Sequence, residues 1–127
     1  MQRNILIVDS DAGVCRLLGR FAELSDYTYI VAHTATEGRR ILLHRQDIGL
    51  VVCDWMLPDD NGTLTVLRMS KSMQFERPVI VMSGYHDLAT QLEGAGATAF
   101  LPKPFTLEAF QEILETYLPL KTPATKT

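Results

Sequence analysis

Three stretches of this chain are apolar with almost no interruption: Ile5-Leu-Ile-Val8, Ile48-Gly-Leu-Val-Val-Cys53 and Val79-Ile-Val-Met82. A strand with one wet face alternates apolar and polar residues; a strand that does not alternate is covered on both faces. Strands of that kind occur in parallel sheets, whose crossover helices lie against both sides. The intervening segments have the helical period. Val14, Leu17, Leu18, Phe21 and Leu24 recur at that spacing. Thr34 and Glu37 have the spacing of a capping box, and Ile41 and Leu42 continue the stripe. Leu64 with Leu67, and Leu88 with Leu92, mark two further helices, the second ending near Gly94 and Gly96. Phe110, Ile113, Leu114 and Tyr117 mark the last. Tyr27 to Ala32 and Thr98 to Leu101 read as two shorter strands. Five β-α units in succession predict an α/β, doubly wound, five-stranded parallel sheet.

Four of the five strands end in a functional group: Asp9, Asp54, Ser83 and Lys103. In open parallel sheets ligands bind beyond the carboxyl ends of the strands, at the point where strand order reverses. The four groups converge there if the order is 2-1-3-4-5, the flavodoxin-like (βα)5 arrangement, with the second strand at an edge. A carboxylate at the mouth of a buried strand is costly unless something pairs with it, so Asp54 singles itself out.

Composition narrows the class. A chain of 127 residues, 46% of them hydrophobic, is one domain with a real core. Its net charge of -3 carries no footprint for nucleic acid or an anionic membrane. The apolar runs are far shorter than the roughly 20 residues of a membrane helix. The opening Met1-Gln-Arg-Asn4 leads straight into a strand, so no signal peptide and a cytoplasmic location are expected. Cys15 and Cys53 have no metal-ligand spacing and read as small buried hydrophobes. Residues 1–118 are expected to form the domain. The Pro/Thr/Lys-rich stretch 119–127 reads as a tail or the start of a linker.

The segments Ile5-Leu-Ile-Val-Asp9, Asp54-Trp-Met-Leu-Pro58-Asp59 with Gly62, Val81-Met-Ser83-Gly84 and Phe100-Leu-Pro-Lys103-Pro104-Phe105 resemble the receiver domain of two-component response regulators, of the chemotaxis-regulator type. The resemblance covers about residues 3 to 118. It implies that Asp54 accepts a phosphoryl group from a histidine kinase or phosphotransfer protein, and that the domain then switches conformation. It implies Mg²⁺, held by Asp9, Asp54 and the backbone carbonyl of Met56; Mg²⁺ takes oxygen ligands and keeps several waters, so few protein ligands suffice. Ser83 would donate to one phosphoryl oxygen and Lys103 would neutralise another. A cis Lys103-Pro104 bond is also implied. Phe100 would be the switch aromatic, turning inward as Ser83 moves. The signal would leave by the face that combines the Leu88–Leu92 helix, the Phe100 strand and the Phe110–Tyr117 helix. Met56 and Tyr85 stand where the family tunes access of water to the acyl phosphate. The domain would act as a signalling module, not an enzyme with a separate substrate. Its effector is unknown, with no direct nucleic-acid or membrane binding expected.

One position departs from the family, which has two consecutive acids after the first strand. Here they are Asp9 and Ser10. Ser10 can offer a neutral hydroxyl or a bridging water, and Asp11 could swing in, although Asp11 reads better as a helix N-cap. Loss of a charge should weaken metal binding. Asp9-Ser10-Asp11 also matches the nucleophile motif of haloacid-dehalogenase-like phosphatases, with Asp9 as nucleophile and Asp11 as general acid, but Ala12-Gly13 breaks the continuation. Ser10 is also the one feature that would suit a phosphorylation-independent pseudo-receiver. His33, His44 and His86 have no partner pattern and read as solvated. Trp55 fits either the rim of the site or a partner patch. Glu108, Glu112 and Glu115 read as a solvated face.

Overall fold

The computed structural model describes residues 4–60, 68–69, 71, 76–84 and 96–120. The helices expected around Leu64 and Leu88, with Tyr85, His86 and most of the tail, lie outside the described residues. Five strands, β1 (Asn4–Val8), β2 (Thr28–Ala32), β3 (Ile48–Asp54), β4 (Val79–Ser83) and β5 (Ala99–Pro102), form one sheet in the order β2-β1-β3-β4-β5. Every pairing is parallel. Helices α1 (Ala12–Leu24), α2 (Ala35–His44) and α3 (Leu107–Tyr117) are described.

The uninterrupted apolar strands are explained by their two covered faces. Leu6 and Val8 of β1, Val51 and Cys53 of β3, and Val79 and Val81 of β4 join Ala35 and Leu42 of α2 in one cluster. The alternate residues, Ile5 and Ile7, Leu50 and Val52, Ile80 and Met82, join Cys15, Leu18 and Ala22 of α1 and Phe110 and Leu114 of α3 in the other. Burial of a large aliphatic side chain contributes roughly 1.5–3 kcal/mol, so sliding any central strand by one residue would cost nothing in pattern but would wreck the fit on both sides. Register is therefore set by the fit of alternate residues against the helices on each face. Asp11, Thr34 and Thr106 each cap a helix through a side-chain oxygen. Asp26, at φ 67°, turns the chain from α1 into β2.

Candidate functional site

The sheet brings the ends of β1, β3 and β5 together at one edge of the molecule. Asp9 follows β1 with its side chain only 1% exposed, and Asp54 is the last residue of β3. Lys103 follows β5. Its backbone N–H donates to the Ser83 carbonyl at 2.8 Å, and its peptide bond to Pro104 is cis. The Lys103 Nζ lies 3.2 Å from Asp9 Oδ2 and 3.1 Å from Asp54 Oδ1. Two carboxylates thus share one ammonium. Burial and the Asp9 charge push the Asp54 carboxyl above its usual range, against the opposing pull of Lys103. Burial alone would lower the Lys103 ammonium, but the hydrogen bond and charge of Asp54, and then Asp9, outweigh it and hold the pKa up.

The remaining predicted residues divide. Ser83 is the last residue of β4 and is buried; Asp54 pairs with the residue just before it, Met82. Asp11 is committed to α1: its Oδ1 accepts from the amides of Gly13 at 2.7 Å and Val14 at 3.2 Å. Its own amide donates to Asp9 Oδ1 at 2.8 Å. Asp11 is therefore a helix cap, as expected, and its amide orients Asp9. Ser10 is exposed. Met56 is exposed beside Asp54, whereas Trp55 packs on the cluster around Val81 and Cys53. Phe100 is half-buried against the same cluster. Tyr85 lies outside the described residues. Glu108, Glu112 and Glu115 are exposed, as expected. Both thiols are buried and pushed up by desolvation, Cys15 to about 11, so neither is a thiolate at neutral pH.

The carboxylates of Asp9 and Asp54, brought together at Lys103, are hard oxygen donors of the kind a divalent cation takes. Among the described residues no cluster of three or more His, Cys, Asp or Glu side chains could by itself hold a metal.

Three contributors were missed from sequence. Asp59 accepts from the amides of Ala35 and Thr36, at 2.8 and 2.9 Å, and from the Thr36 hydroxyl at 2.6 Å, tying the loop after β3 to the start of α2. Desolvation pushes its carboxyl up, yet the bonds from Thr36 and Ala35 prevail and bring it to about 2. Asp60 pairs with Arg39 at 3.4 Å and Arg68 at 3.0 Å. His33 is exposed, as expected, yet it places Nδ1 3.1 Å from the Asp9 carbonyl, a contact the sequence did not signal. Its signal was weak because its partner lies 24 residues away and is a main-chain atom.

Known proteins resemble this chain in sequence and fold. A family model described as the response regulator receiver domain matches residues 5–115. Response regulator MprA of Mycobacterium ulcerans is 34% identical over 110 residues, which make up 85% of this chain and 47% of that protein. Transcriptional regulatory protein GlrR of Escherichia coli is 28% identical over 124 residues, 96% of this chain and 28% of that protein. The chain thus spans half or less of the length of these relatives. A CheY-like receiver domain protein from Methanospirillum hungatei superposes with a TM-score of 0.81 at 27% identity, covering 91% of this chain and 93% of that one. A two-component response regulator from Clostridium difficile, at 21% identity, shares the fold with a TM-score of 0.83 over 96% of this chain and all of that one.

Proposed function

The chain belongs to the response regulator receiver domain family, and on that premise we propose that Asp54 accepts a phosphoryl group from the phosphohistidine of a kinase or phosphotransfer protein. The observation that carries the assignment is the Lys103 bridge between Asp9 and Asp54. A carboxylate oxygen of Asp54 attacks phosphorus as the bond to the imidazole nitrogen breaks, and the leaving imidazole keeps that electron pair. Lys103, already beside Asp54, moves its charge to a phosphoryl oxygen, and the Ser83 hydroxyl donates to another. Asp9 holds the far side of the lysine. The family generally binds Mg²⁺ at its acidic pocket; here Asp9, Asp54 and the Met56 carbonyl would hold it, with Ser10 at most contributing a hydroxyl or a bridged water. When bound, Mg²⁺ offsets repulsion between the carboxylates and the phosphoryl oxygens. Receiver domains are signalling modules, and this one would have no substrate besides its own aspartate. We take residues 1–118 as the signalling unit, 119–127 as tail or linker, and the cytoplasm as its place of action. Among the described residues no helix is long and apolar enough to cross a membrane. Response regulators interact with histidine kinases and effector domains; for this chain both partners are unidentified.

Acetyl phosphate with Mg²⁺ should place one acyl phosphate on the chain, mapped to Asp54 by mass spectrometry and lost in Asp54→Ala. Label on Asp9 would sink the assignment. Ser10→Asp should tighten Mg²⁺ about tenfold, or ~1.4 kcal/mol, in a titration followed by Trp55 fluorescence. Unchanged affinity would mean that position 10 does not face the metal.

A further inference from the structure

The backbone carbonyl of Asp9 is held by two side chains that come from different elements. Cys15 Sγ of α1 lies 3.2 Å away, and His33 Nδ1, from the turn between β2 and α2, lies 3.1 Å away. A carbonyl oxygen only accepts, so His33 must carry a proton on Nδ1. The turn that bears His33 is itself tied down. The His33 backbone N–H donates to Glu37 Oε1 at 2.8 Å, and the Glu37 amide donates to Thr34 Oγ1 at 3.1 Å. Ala35 and Thr36 are held by Asp59, five residues after Asp54. Residues 33–36 therefore bridge the two loops that carry the acids, touching the Asp9 carbonyl at one end and the loop after β3 at the other.

We propose that His33 is a positioning residue for the acidic pocket: its Nδ1–H fixes the Asp9 peptide and so aims the Asp9 carboxylate at the metal and at Lys103. The inference rests on the phospho-acceptor reading above for its biological meaning, but its physical content is the metal affinity of the free protein. The chemistry of the contact makes it specific. Asp9 Oδ1 takes the Asp11 amide and Oδ2 takes Lys103. Each carboxylate oxygen thus has a partner, and a small rotation of the Asp9 peptide would misalign both along with the metal. Groups that orient a metal ligand from behind commonly matter about tenfold or more for affinity. Here Asp9 is also anchored by its own amide on Ala32 and by Cys15, so the loss should fall at or below the low end of that range, about three- to tenfold.

Two isosteres separate positioning from bulk. The amide nitrogen of asparagine reaches where Nδ1 stands, whereas that of glutamine reaches where Nε2 stands. His33→Ala and His33→Gln should bind Mg²⁺ about three- to tenfold more weakly by Trp55 fluorescence. His33→Asn should stay within about twofold of the parent. Imidazole ¹⁵N shifts of the parent should show Nδ1 protonated. Equal affinity in all four proteins, equal loss in Asn and Gln, or a neutral ring protonated on Nε2 would each overturn the proposal. If His33→Ala fails to fold, the Asn and Gln pair still decides it. A parent protein that binds Mg²⁺ as described but takes no label on Asp54 would sink the phospho-acceptor reading and leave this one standing.

Discussion

At Asp54, burial and the neighbouring Asp9 charge act in one direction, and Lys103 acts in the other. The folded-state pKa of Asp54 ends above its unfolded value. A raised carboxyl pKa means that the folded state holds the proton more tightly, so stability falls as pH rises from the unfolded value, about 3.9, through the folded one. In Mg²⁺-free buffer Asp54→Asn should therefore be more stable than the parent at pH 7. Urea denaturation should show that gain disappearing at pH values below about 3.9. Lys103→Met should do the reverse. Its ammonium is held up by two carboxylates, so its contribution is present below about pH 10.4 and lost as pH rises through the folded value. Leaving buried Asp9 without its cation should cost about 2 kcal/mol at pH 7, less than a fully buried pair because Lys103 is partly solvated. Equal stability of all three proteins would mean that the site is not electrostatically loaded. At this scale sequence showed which residue types stood at the strand ends. It did not show His33, whose only signal is a main-chain partner far along the chain.

The element that ties the site to its surroundings is the start of α2. Its first amides have no partners within the helix, and Asp59 supplies one from the loop after β3. A carboxylate there also meets the positive end of the helix dipole. With its folded pKa lowered to about 2, Asp59 stabilises the fold above its unfolded value near 3.9, and that help is lost as pH falls toward 2. Asp59→Ala should cost about 0.5–1 kcal/mol at pH 7, since the residue is exposed and water screens it. The gap to the parent in thermal or urea melts should close between pH 4 and pH 2. A gap that persists at pH 2 would assign the effect to packing rather than charge. The Asp54-to-Asp59 motif was legible as a motif, whereas its last acid proved to be a cap for a helix that precedes it in the chain.

Across the whole molecule the site and the half-buried Phe100 are linked through two neighbouring strands: Val81 pairs with Phe100 and Ser83 with Pro102. If Ser83 closes on a phosphoryl oxygen, the space it leaves lies on the strand beside Phe100. A ligand shifts such an equilibrium only by its different affinity for the two states. Addition of beryllofluoride with Mg²⁺ should move the amide resonances of Phe100, Leu101 and α3 as well as those near Asp9 and Asp54. Silence at Phe100 and α3 would send the signal through another face.

The apolar runs and the helical periods by themselves determined the class of fold, because a strand buried on both faces admits few architectures and each crossover demands a helix. They also placed Asp9, Asp54, Ser83 and Lys103 at strand ends, since the end of an apolar run is visible in one dimension. The N-cap at Asp11 was legible for the same reason: its partners, Gly13 and Val14, are two and three residues away. Only the tertiary structure decided that one lysine spans two carboxylates 94 and 49 residues distant. Only it decided that Asp59 caps α2 and that His33 reaches the Asp9 carbonyl. Those contacts depend on strand order, on the twist that brings the loops together and on main-chain atoms, and none of these leaves a mark in residue spacing.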